Sequence, residues 1–179
     1  MLAGTAFLRS GRVRIVLFRH GIAINRDDPA CPREEDRALT GEGTRRTTLA
    51  ARGLARMGIA PGRVLSSPWL RASQTAQIAL DALDLEHAQL EYTEALLPWA
   101  EPREVCALLQ GDQAQEVLLA GHAPHLDALL AYLLIVESTR LNRLKKAGAA
   151  ALQIDRLEAG RGQLQWMMSP KALRQLASA

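Results

Sequence analysis

The apolar run Ile15-Val16-Leu17-Phe18, ending abruptly on Arg19-His20-Gly21, most constrains how this chain folds. β-branched and aromatic residues in an unbroken run read as a strand buried in a sheet. In open α/β sheets, chemistry gathers just beyond the carboxyl ends of such strands. Arg19 and His20 fall there, and Gly21 lets the backbone turn sharply or pass close to a ligand. A guanidinium beside an imidazole suits a phosphoryl group: one holds its charge and the other attacks phosphorus.

Two further strand ends repeat the arrangement. Val117-Leu118-Leu119-Ala120 runs into Gly121-His122, and Pro124 then suits the first turn of a helix. Val64-Leu65 passes through Ser66-Ser67-Pro68 into a segment whose first turn holds Arg71, where free backbone N–H groups and the helix dipole favour an anion. Three strand ends thus offer His20, Arg71 and His122, with Arg19 alongside.

In these residues the chain resembles the histidine phosphatase superfamily, the phosphoglycerate-mutase-like family. Arg-His-Gly after the first strand, an arginine after a Ser-Ser-Pro turn and a late Gly-His carry the resemblance. Arg37-Ala38-Leu39-Thr40 with Gly43, Gln74-Thr75 and Trp166-Met167-Met168-Ser169-Pro170 extend it from Val13 to Pro170. These segments are similar to those of the short bacterial phosphohistidine phosphatases of the SixA type. The resemblance implies an α/β fold in three layers: a mainly parallel, mixed β-sheet flanked by helices. It implies no metal and no cofactor.

The periodicity agrees with that fold. Strands are predicted at 14–19, 64–66, 90–92, 117–120, 149–155 and 163–168, the last two paired across Glu158-Ala159-Gly160. Helices are predicted from Thr40, a plausible N-cap, towards Met57, then at 71–83, 103–109 and 124–136, with a short one at the end. The loop Ile22–Ala38, with Glu34-Glu35-Asp36, reads as turn and solvent signals. Residues 1–12 read as an N-terminal extension and 13–179 as a single domain. A chain of 179 residues, 48% hydrophobic, buries a core of ordinary size.

Composition excludes other classes. Net charge is +3 and aromatic content 4%, without a basic patch interleaved with aromatics, so nucleic acid is not an expected partner. No run reaches the length of a membrane span, and the first dozen residues lack the apolar core of a secretory signal. Cys31 and Cys106 lack metal spacing and read as reduced thiols of a cytoplasmic protein. No Gly-Lys-Ser/Thr cradle for a nucleotide is present.

The expected mechanism is covalent. His20 attacks phosphorus; Arg19, Arg71 and Arg37 hold the phosphoryl oxygens; His122 stabilises charge as the group moves. His125 is expected on a helix near the pocket rim, His87 on the surface, and Trp69, Trp99 and Trp166 in core or rim packing. The resemblance places a general acid in the loop after the third strand, where Pro98 falls; Glu101 and Glu94 are the candidate substitutes. A phosphohistidine leaving group needs less acid help than an alkoxide. The expected activity is therefore a phosphohistidine phosphatase acting on a phosphorylated protein. The alternatives are a small-molecule phosphomonoesterase and a non-catalytic module binding phosphate or phosphohistidine.

Overall fold

Alternation along the first strand sets the layers. In β1 (Val13–Arg19), successive side chains point to opposite faces, so Ile15 and Leu17 join one apolar cluster and Val16 and Phe18 the other. All four are fully buried, each contributing about 1.5–3 kcal/mol. The computed structural model describes residues 12–85, 90–135 and 143–178. The expectations for residues 1–11 and for His87 lie outside these.

β1 is followed by α1 (Gly41–Arg56), β2 (Arg63–Ser66), α2 (Leu70–Leu83) and β3 (Leu90–Tyr92). A 3₁₀ turn at Glu94–Leu96 leads to α3 (Pro102–Leu109), β4 (Glu116–Gly121) and α4 (His125–Leu134). β5 (Ala149–Ile154), β6 (Gly162–Met168) and α5 (Pro170–Leu176) complete the domain. The six strands form one sheet in the order β3-β2-β4-β1-β5-β6. The first four are parallel, while β5 runs antiparallel to β1 and β6 antiparallel to β5. The architecture is the predicted three-layer one. Residues of α1, α2 and α5 cover the face of Val16 and Phe18, and residues of α3 and α4 cover the face of Ile15 and Leu17.

Local chemistry explains the helix ends. Thr40 Oγ1 accepts from Gly43 N at 2.9 Å, the expected N-cap of α1. Ser169 caps α5 through Ala172 N, with Pro170 in the first helical position. Gly43 is required by packing, because a Cβ there would strike the Ile22 carbonyl. That close approach lays α1 against the segment after His20. Among the described residues, no helix is long and apolar enough to cross a membrane.

Candidate active site

Strand register brings the candidate residues together. β1 and β4 are parallel neighbours with Arg19 opposite Gly121, and β2 lies on the other side of β4 with Ser66 opposite Ala120. The residues that follow are therefore adjacent: His20 N donates to Gly121 O at 3.0 Å and Ser67 N to Ala120 O at 3.0 Å. The rings of His20 and His122 lie 5.1 Å apart between centroids. Both histidines are buried, as are Arg71 and Arg37. Arg37 sits inside its loop rather than on the surface.

A small set of hydrogen bonds fixes these groups. His20 Nδ1–H donates to Gly21 O at 2.7 Å, so the neutral ring keeps its lone pair on Nε2. Thr75 Oγ1 accepts from Gly21 N at 3.1 Å and donates to Arg71 O at 2.7 Å, tying the end of β1 to the first turn of α2. Gly21 owes its identity to α1, since a Cβ there would collide with Thr47 Oγ1. His122 Nε2 and Ser67 Oγ share a bond of 2.8 Å. The indole of Trp69 packs edge-on against His122, and highly exposed Trp99 packs against Trp69. Arg19 donates to Leu144 O at 2.6 Å.

Glu34 is the residue sequence reasoning missed. Its carboxylate bonds Arg26, Arg37 and Arg71 at 2.8–3.0 Å, and its carbonyl accepts from Arg71 at 2.6 Å. The loop read as a solvent segment instead supplies the anion that holds the guanidinium cluster together. The two candidate acids are not drawn into this cluster. Glu94 opens the 3₁₀ turn and Glu101 precedes α3, where its N–H bonds Glu104; both are exposed. Among the described residues, neither pairs with a site arginine or histidine. No group of three His, Cys, Asp or Glu side chains there could hold a metal ion.

Burial dominates the electrostatics. It lowers His20 to about 3 against the favourable Gly21 bond, with Arg71, Arg19 and Lys146 adding repulsion. His122 falls to about 2 through burial and then the neighbouring His20 and Arg71. Burial also lowers Arg71, to about 10, and Arg37 and Arg26 act in the same direction against the attraction of Glu34. The Glu34 carboxyl is held near 2, with Arg26 first and Arg37 and Arg71 behind it. Arg19 Nε, Arg71 Nε and His122 Nδ1 are buried without a hydrogen-bond partner in the protein. Three orphaned nitrogens on three candidate phosphate ligands match the needs of an oxyanion.

His125, expected at the rim, is buried at 1% exposure with neither ring nitrogen bonded, and burial lowers it to about 4. Together with His20 and His122 it makes stability depend on pH. Above the ordinary value of 6.5 both folded and unfolded chains carry neutral rings and nothing is lost. Below 6.5 the unfolded chain takes up protons that the fold refuses, so stability falls as pH drops towards 4. Each histidine contributes a slope of about 1.4 kcal/mol per pH unit at most. The urea midpoint should be flat from pH 8 to 7 and fall steeply below 6.5, and His125→Leu should remove about a third of that slope by this linkage.

Comparisons with known proteins agree with this geometry. The profile of the histidine phosphatase superfamily (branch 1) matches residues 15–98. This chain belongs to that superfamily, and its class is phosphatase. It is 30% identical over 167 residues to the phosphohistidine phosphatase SixA of Escherichia coli, covering 90% of this chain and 97% of that protein. An uncharacterized protein of Picosynechococcus is 34% identical over 144 residues, 79% of this chain and 85% of the relative. The structure of a protein histidine phosphatase SixA complexed with tungstate superposes with a TM-score of 0.76 at 30% identity, covering 89% of this chain and 98% of that one.

Proposed function

We propose that the protein is a metal-independent phosphohistidine phosphatase that works through a covalent phosphohistidine on His20, with a phosphorylated protein as substrate. The observation that carries the reading is the fixed tautomer of His20. Its Nδ1–H is spent on Gly21 O, leaving Nε2 free to attack beside an arginine cluster. Nε2 forms a bond to phosphorus as the P–N bond to the substrate imidazole breaks, and the departing imidazole takes a proton from water. A second water then attacks phosphorus as the P–N bond to His20 breaks; the proton it gives up neutralises the hydroxide left by the first step, and inorganic phosphate departs. Arg19, Arg37 and Arg71 hold the oxygens, and His122, oriented by Ser67, donates to them at the transition state.

Substrate chemistry follows from the carboxylates. An alkoxide leaving group needs a protonated acid beside it. Glu94 and Glu101 are exposed and bond none of the cluster's arginines or histidines, and Glu34 is held ionised by three arginines. A P–N bond with a weakly basic imidazole leaving group suits such a site, and the similarity to SixA supports the same class. The test is phosphate release from a phosphohistidine-bearing protein and from an aryl phosphate, each with chelator present. Release from phosphohistidine should exceed that from the ester at least tenfold. The reverse ratio would place the protein among small-molecule phosphomonoesterases, and silence on both would leave a binding module.

Glu34 makes a second expectation concrete. A phosphoryl group entering the cluster meets a carboxylate already on Arg37 and Arg71. Removing one negative charge about 4 Å away is worth about 1 kcal/mol even in water. Glu34→Gln should therefore tighten competitive inhibition by inorganic phosphate about fivefold. Weaker inhibition would show that Glu34 matters more for aligning the arginines than for screening them.

A further inference from the structure

Two cavities of about 540 and 520 Å³ open beside the site, sharing Arg19 and Lys145. The second is lined by five cations, Arg19, Arg46, Lys145, Lys146 and Arg174, with no carboxylate among its lining residues. They come from four parts of the chain: the end of β1, α1, the segment before β5, and α5. Several cations elsewhere in the fold are paired with carboxylates. Arg63 sits between Glu91 and Asp112, Arg14 meets Glu116, and Arg45 meets Glu42. Arg46 also touches Glu42. Lys145, Lys146 and Arg174 have no ion-pair partner among the described residues. Lys146 is lowered by burial and then by Arg19, Arg37, Arg71 and Arg26, so the groove and the phosphate ligands share one positive field.

Mutual repulsion among these cations opposes the fold, whereas a ligand with several negative charges would relieve it. We propose that this groove is a docking surface for an acidic segment of the protein that carries the phosphohistidine, with Asp or Glu side chains beside the modified residue engaging Lys145, Lys146 and Arg174. The inference rests on the phosphohistidine reading above and adds the chemistry of the partner. A single small anion is a poorer match, because five cations from four parts of the chain line a cavity of about 520 Å³, more charge and space than one oxyanion fills. Nucleic acid is a poorer match as well: net charge is only +3, and no aromatic residue lines the groove for bases to stack on.

The test uses two synthetic phosphohistidine peptides, identical except for three flanking glutamates in one and three glutamines in the other. Wild type should hydrolyse the acidic peptide with about tenfold higher kcat/KM in 50 mM salt. The preference should shrink to about twofold in 500 mM salt, where the Debye length falls to roughly 4 Å. In a Lys145→Glu/Arg174→Glu variant it should vanish, the ratio of the two peptides' kcat/KM falling to about one, while kcat on saturating aryl phosphate keeps its order of magnitude. Lys145→Gln alone, should the double variant fold poorly, ought to lose about threefold. Equal, measurable rates on the two peptides, or a preference that survives both salt and charge reversal, would overturn the proposal. Binding of the unphosphorylated peptides, followed by fluorescence anisotropy, separates this from the catalytic reading. Salt-sensitive binding of the glutamate peptide alone would uphold the groove even if neither phosphopeptide were hydrolysed. Tighter binding of a single-stranded oligonucleotide, abolished by the same charge reversal, would assign the surface to nucleic acid and overturn the proposal.

Discussion

His20→Ala should lower phosphate release from every substrate by about 10⁴-fold or more, the scale seen when a covalent nucleophile is deleted. The size of the effect follows from chemistry that no neighbour can replace. His122 is the nearest second imidazole, but its Nε2 is engaged by Ser67 Oγ at 2.8 Å. A guanidinium can hold phosphate but cannot attack it. Because the arginines remain in place, inorganic phosphate should still bind the variant with an affinity within about threefold of wild type. Wild type stopped in mid-turnover should carry phosphate on His20 that survives alkali and is lost in acid; the variant should carry none. Retention of a tenth of the activity would remove His20 from the mechanism. Since His20 is lowered to about 3 by burial, its neutral form persists well below pH 7. Wild-type kcat should consequently show no loss attributable to His20 protonation between pH 8 and 5.

Strand ends were legible because they combine two local signals, a dense apolar run and a polar residue immediately after it. Those signals put Arg19, His20 and His122 at strand ends, and Arg71 beyond the turn that follows β2, in the first turn of α2. Their convergence depends on sheet order and register, which are long-range properties: β4 inserts between β2 and β1 although it is the fourth strand in sequence. The resemblance implied a mainly parallel, mixed sheet, but neither it nor periodicity gave the strand order. Glu34 escaped because a loop containing Asp27, Asp28, Glu34, Glu35 and Asp36 gives each acid the same solvent-facing appearance. The available clue was Arg37 three residues beyond Glu34 and Arg26 eight before it, all drawn towards Arg71 from another element. His125 was misplaced for a related reason. At the start of a helix an imidazole reads as polar rim, but packing against α3 left it buried without a bonding partner.

Arg71 should be the most sensitive position after His20. Arg71→Ala is expected to lower kcat by about 10²–10³, the cost of deleting one preorganised oxyanion donor. The guanidinium is held on three sides: Glu34 O at 2.6 Å, Glu34 Oε1 at 2.8 Å, and the face of Trp69 with Cζ 4.5 Å from its centroid. Its Nε is the atom left without a protein partner. Arg71→Lys should recover less than about tenfold, because an ammonium is a point charge that cannot bridge Glu34, stack on an indole and present a further N–H at once. Folding should survive either change, since Glu34 keeps Arg26 and Arg37. The split between constants is what decides the role. Charge on the transferring phosphoryl oxygens is redistributed as the P–N bond breaks, and a donor aimed at that redistribution shows its loss in kcat. If KM alone rose and kcat survived, Arg71 would be a recognition residue for bound phosphate. Stabilisation of the moving charge would then fall to Arg19 and His122, the other two ligands with an orphaned nitrogen.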